Sequence, residues 1–268
     1  MSLITIFANI KRHSRQSAIV AKYTFIEVLK SKVLVNIFLL GIAMAVVCFI
    51  ASEFTFGVPQ RVALDFGLGT LTLAAVAIAL FMGVGLILKE IEERTVYMVL
   101  ARPIGRASFL VGRLAGMSGV LLLNILILGG LTLALYSVLG GKLTPILFWA
   151  LLFAFFEALL ILLVVIFFSM ITNSTLSVIF TLATYIVGHA ISDTLRLGFV
   201  TRSPFLAKLI SIYAVFFPNF SKLNIKDFIL YQQHLETNYL LLTCTYVAVY
   251  AFALVLASSI IFERKNLD

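Results

Sequence analysis

LTPILFWALLFAFFEALLILLVVIFFSMI, residues Leu143 to Ile171, carries a single ionisable side chain, Glu157, in 29 residues. A helix needs about 20 predominantly apolar residues to cross a hydrocarbon core about 30 Å thick, and this stretch has more than enough. The rest of the chain follows the same pattern. Hydrophobic residues make up 62% of the 268 and charged residues only 12%, with a mean hydropathy of +1.12, whereas a soluble domain is about 45–50% apolar. A water-soluble fold is excluded, and the chain reads as one all-α membrane domain over residues 1–268.

Outward from Leu143, the pattern predicts five more spans, at about 33–51, 64–88, 109–139, 174–192 and 239–262. The third is longer than a perpendicular helix requires, so it tilts or projects from the bilayer. Gly140, Gly141 and Lys142 turn the chain into the fourth span, and Thr172, Asn173 and Ser174 turn it into the fifth. Tyr136 and Trp149 flank the first of these turns as interface anchors do. Gly67, Gly69, Gly83 and Gly85 stud the second span, but glycines two apart do not share a helical face, so they read as packing or flexibility. Within the long segment 193–238, the apolar stretch Phe205 to Phe217 is too short to cross; it lies at the interface or re-enters.

Ser17 to Lys32 reads as a helix along the membrane surface, with Ile19, Phe25, Ile26 and Leu29 on its apolar side and Lys22 and Lys30 snorkelling to headgroups. The same periodicity fits an ordinary flank of the first span. An even span count puts both termini on one side, and that side holds 13 of the 20 Lys and Arg residues, which favours cytoplasmic termini. The formal charge of +8 is spread beside apolar spans instead of forming a compact patch, so lipid headgroups are its counter-charge and nucleic acid is not a partner. More than thirty mixed residues precede the first apolar run and no small-residue cleavage site follows it, so the first span is expected to be retained. Cys48 and Cys244 lie inside spans, where packing is the default role.

The most polar interior stretch is Lys89 to Arg113. Mixed-sign charge at helical spacing predicts a short helix past the second span, which stops before Pro103, turns through Ile104 and Gly105, and re-enters near Phe109. Such a segment forms a stiff charged knuckle, and a solvated helical hairpin fits the same pattern. Among intramembrane polar residues, Glu157 serves either a substrate path or a structural hydrogen bond. His189 and Asp193, four apart at the end of the fifth span, share a helical face and suit an interfacial ion pair better than a metal site. Asn36, Asn124 and Thr132 read as interhelical glue. The three histidines, His13, His189 and His234, lack H-E-x-x-H spacing, and Tyr97 stands where a Glu92-Glu93 intramembrane protease would need arginine. A P-loop is absent too, because Gly141-Lys142 has Tyr136 at the earlier glycine position and Leu143 after the lysine.

The knuckle resembles the corresponding segment in permeases of the type-2 class of ABC exporters, in particular the six-span branch associated with multicopper-enzyme maturation. Glu90, Glu92, Arg94, Thr95, Leu100, Pro103, Arg106, Phe109 and Gly112 match, with Arg113 in place of the usual lysine. Tyr23-Thr-Phe-Ile-Glu27 and Phe217-Pro-Asn-Phe220 with Leu223-Asn224 are similar to the same branch, so the likeness covers nearly the whole chain. The resemblance implies that Glu90, Glu92, Glu93, Arg94, Thr95 and Leu100 belong to a coupling helix docked in a separate ATPase, with Pro103 and Arg106 fixing its exit turn. It further implies that Tyr23, Phe25 and Glu27 lie on a connecting helix packed against the knuckle, and that Pro218, Asn219, Phe220 and Asn224 belong to short re-entrant helices capping the exit.

On this reading the chain itself is not catalytic and holds no cofactor or metal. Two ATPase subunits bind ATP and Mg, a second permease copy or homologue completes the path, and the site is a bacterial cytoplasmic membrane. The competing readings are an ion-coupled carrier with Glu157, His189 or Asp193 as proton relay, and a membrane scaffold without transport.

Overall fold

The computed structural model describes residues 3–30, 33–53, 59–85, 105–196, 205–206, 208, 212, 217–230 and 235–264. Among these residues every regular element is helical. The long helices are α1 (Leu3–Lys30), α2 (Val33–Glu53), α3 (Pro59–Gly83), α4 (Arg106–Val138), α5 (Pro145–Ile171) and α6 (Ser174–Arg196). A 3-10 turn (Phe220–Lys222), the short α7 (Lys226–Leu230) and α8 (Thr237–Arg264) complete the chain. In hydrocarbon only a helix or a closed barrel satisfies its own backbone, so apolar runs of this length become helices.

Local chemistry sets the boundaries. Thr144 is extended and Pro145 occupies the first helical position of α5, where its missing N–H is not needed. The Asn173 side-chain oxygen accepts the Leu176 N–H at 3.2 Å and caps the start of α6. Gly140, at φ 89°, reverses the chain after α4.

Five helices are long and apolar enough to cross a membrane, namely α3, α4, α5, α8 and Ser174–Ser192 of α6. The expected first span is occupied by the 21-residue α2. Helix α4, with 33 residues, extends about 50 Å at about 1.5 Å per residue, well beyond a hydrocarbon core.

The core lies where α3, α4 and α5 meet. On α5, Phe153, Ala158, Leu160, Ile161, Leu162, Val165 and Ile166 are fully enclosed. Helices α3 and α5 bury most of their apolar windows, whereas α8 buries least and leaves Leu242, Val249 and Phe252 exposed. Neighbouring α4 and α5 run antiparallel, so Gly129 meets Leu151, and α8 returns beside α4, so Phe109 stacks on Phe262 at 6.5 Å. The bundle therefore has two ends, one marked by Arg106 and the other by Lys226.

Candidate functional site

The middle of α5 supplies the most buried acid. Glu157 is 3% exposed and its Oε1 approaches His189 Nε2, on α6, at 3.4 Å. That contact is not a hydrogen bond: among the described residues Oε1 has no hydrogen-bond partner. Tyr185, one turn before His189, sits beside the Glu157 carboxyl, and its backbone carbonyl lies 3.3 Å from His189 Nδ1. These side chains open on a cavity of about 210 Å³ that runs towards the Lys226 end between α3, α5, α6 and the turn before α7. At that end Lys226 Nζ pairs with Asp65 Oδ1 at 2.5 Å.

Residues 223–226 line the cavity, and the stretch before them packs on α6 and α8. Phe220 is fully buried and stacks on the His189 ring at 5.7 Å with an interplanar angle of 15°. Asn219 exchanges hydrogen bonds with Ser192 at 3.1–3.3 Å, and its backbone N–H donates to the Tyr246 hydroxyl at 2.8 Å. Pro218 fits because residue 188 is glycine: a Cβ there would collide with the Pro218 carbonyl oxygen and the Phe220 ring. Asn224 turns the chain into α7 by accepting the Lys226 N–H at 3.2 Å, and it lines the cavity beside Leu223 and Ile225. The four residues expected in an outer segment thus sit together against α6 and α8.

The Arg106 end is built differently. Helix α1 runs beside α4 in the same direction and makes its most extensive packing there. Ser17 donates to the Ser108 carbonyl at 2.9 Å. Arg113, only 5% exposed at its side chain, reaches Glu27 at 2.6 Å and Thr24 at 3.2 Å. The helices approach closely because a Cβ at Gly112 would lie 2.7 Å from the Ser17 carbonyl oxygen, and one at Gly116 would lie 2.6 Å from that of Ala21. Phe25 packs near Gly119, while Tyr23 points outward, 69% exposed. Arg106 donates to the Glu263 backbone carbonyl at 3.2 Å and ties the start of α4 to the end of α8.

Glu90, Glu92, Glu93, Arg94, Thr95, Leu100 and Pro103 lie outside the described residues, as does the side chain of Asp193. The structure brings Glu157 and His189 together from different helices. It adds Tyr185, Asp65 and Lys226, none of which sequence reading selected, and it pairs Arg113 with Glu27. A charge within an apolar span was the available signal for Asp65 and Arg113; nothing along the chain pointed to their partners. Glu157 and His189 offer two metal ligands, and no group of three or more His, Cys, Asp or Glu side chains is gathered among the described residues.

Helices of this length and apolarity define a multi-pass helical membrane protein. Residues 6–267 match the family model described as ABC-2 family transporter protein. The chain belongs to that family, whose members are the membrane components of ABC-type transporters. Comparison with curated proteins yields no match.

Proposed function

We propose that this chain is the permease subunit of an ATP-driven exporter whose ATPase is a separate polypeptide. The observation that carries the reading is the family match, which runs over residues 6–267 and so takes in all the long helices. In the proposed topology α2, α3, α4, α5, α6 and α8 are six spans, both termini are cytoplasmic, and the membrane is the bacterial cytoplasmic membrane. The Arg106 end then faces the cytoplasm, and the ATPase docks on residues 89–106 through Glu90, Glu92, Glu93, Arg94, Thr95 and Leu100. Two ATPase subunits carry ATP and Mg, and a second permease copy or homologue completes the substrate path.

The frame at the Arg106 end supports this arrangement. A docking segment moves spans only if its ends are held firmly, because a loose attachment absorbs the displacement. On the α4 side the segment runs directly into Gly105 and Arg106, and α4 is keyed there to α1 through Gly112, Gly116 and the Arg113–Glu27 pair and to α8 through Arg106. Pressure on the segment would be shared by three helices.

The test is an affinity pull-down of the tagged chain in mild detergent, scored for an ABC-type ATPase, beside a Glu93→Ala/Arg94→Ala variant. Recovery of an ATPase with the intact chain and its loss with the correctly inserted variant is the expected result. Failure to recover an ATPase under conditions that preserve other such complexes would overturn the reading.

A further inference from the structure

We propose that the cavity between Glu157 and Lys226 is a binding site for a primary ammonium group on a short apolar body. The cavity's own side chains define this site, whatever the chain exports.

The hydrogen-bond inventory decides the ligand's sign. A backbone carbonyl can only accept, so His189 Nδ1, 3.3 Å from the Tyr185 carbonyl oxygen, is the nitrogen that donates. In the neutral ring Nε2 then carries the lone pair. Nε2 faces Glu157 Oε1 at 3.4 Å, and Oε1 receives no donor from any described residue. As a carboxylate and a neutral ring, the two groups set two acceptors side by side on the cavity wall. Thr72, also on the wall, gives its proton to the Leu68 carbonyl at 3.0 Å and offers the cavity only an acceptor.

The remaining charges do not complete this pair. Lys226 is already matched by Asp65 at 2.5 Å, and its Nζ stands over Gly69, near where a Cβ would be. The pair is close to neutral as a unit and leaves the Glu157 carboxyl without a counterpart in the cavity. A group that presents several N–H donors and a positive charge satisfies Oε1 and Nε2 together, and an ammonium does so with charge-assisted bonds. Asn224 also lines the cavity, its side-chain oxygen taken up by the Lys226 N–H, and Leu68, Leu73, Ala150, Ala154, Leu223 and Ile225 form the apolar part of the wall, which suits a hydrocarbon body. The cavity of about 210 Å³ admits a small amine, or an amine headgroup entering from a lipid.

The purified full chain, delipidated and reconstituted in phosphatidylcholine nanodiscs, is titrated with radiolabelled ethanolamine and n-propylamine. Saturable binding is expected, with affinity lowered at least about tenfold by Glu157→Gln, which keeps the shape and removes the charge. Ala154→Leu, which fills the cavity and leaves every polar group in place, is expected to abolish binding. A parallel set of nanodiscs containing phosphatidylethanolamine separates the sources: competition with the free amine identifies a headgroup ligand, and no competition identifies a soluble one. Three outcomes overturn the proposal: no saturable amine binding to the unaltered chain in phosphatidylcholine, binding unchanged by Glu157→Gln, or preferential binding of propionate that Lys226→Met removes.

Discussion

The two ends of the bundle use similar residue types for opposite purposes. At the Arg106 end glycines remove side chains so that α1 and α4 touch backbone to backbone, and the cation there, Arg113, has a side chain only 5% exposed, with Glu27 and Thr24 among its partners. At the Lys226 end Gly69 makes room for a lysine head instead of a helix, and the ion pair is partly open, with its side chains 29% and 43% exposed. Space removed gives a joint; space kept gives a cavity. A membrane protein cannot rely on the hydrophobic effect to hold its helices together, because lipid is as apolar as the core. Rigidity therefore has to come from close approach and from polar contacts, such as those between α1 and α4.

The contrast can be broken most severely at the glycine seam. Gly116→Leu forces a side chain into the Ala21 carbonyl and Thr24 and is expected to cost about 3 kcal/mol, the upper part of the range for overpacking, read as a lowered melting temperature in detergent. A Gly116→Leu chain as stable as the parent would mean that α1 is not seated on α4. The next effect concerns the buried pair. Arg113→Met leaves Glu27 and Thr24 without their donor and is expected to cost about 2 kcal/mol, less than a fully buried pair because Glu27 is half exposed. The double-mutant cycle with Glu27→Gln should return a coupling of about 1–2 kcal/mol. The smallest effect is at the opposite end, where the cycle Lys226→Met with Asp65→Asn should give about 0.5 kcal/mol, as expected of an exposed pair. Equal couplings at the two ends would sink the comparison.

Much of the helical architecture was legible along the chain because length and hydropathy act locally. The turn at Thr172 to Ser174, the long third span and the polar character of Glu157 follow from residues read in order. Pairings between helices did not. Reading in order suggests Asp193, four residues on along the same helix, as a partner for His189; the Asp193 side chain lies outside the described residues, and the approach of His189 to Glu157, 32 positions earlier, has no signature along the chain. Periodicity assigns a residue to a face but does not say which helix that face will meet. The glycines of the second span drew notice while Gly112 and Gly116, four apart and on one face, carried the closest approach to α1. Lys226 looked like one more basic residue in a long segment, and only the fold set it against Asp65.

Arg106 reaches the last described turn of α8 from another helix, and its bond there goes to main chain, the Glu263 carbonyl. That bond is blind to the identity of residue 263: any side chain there presents the same oxygen, and sequence drift at that position leaves it intact. Drift at Arg106 has no such shelter, because one substitution there removes the bond and leaves the Phe109–Phe262 stack to hold the two helices.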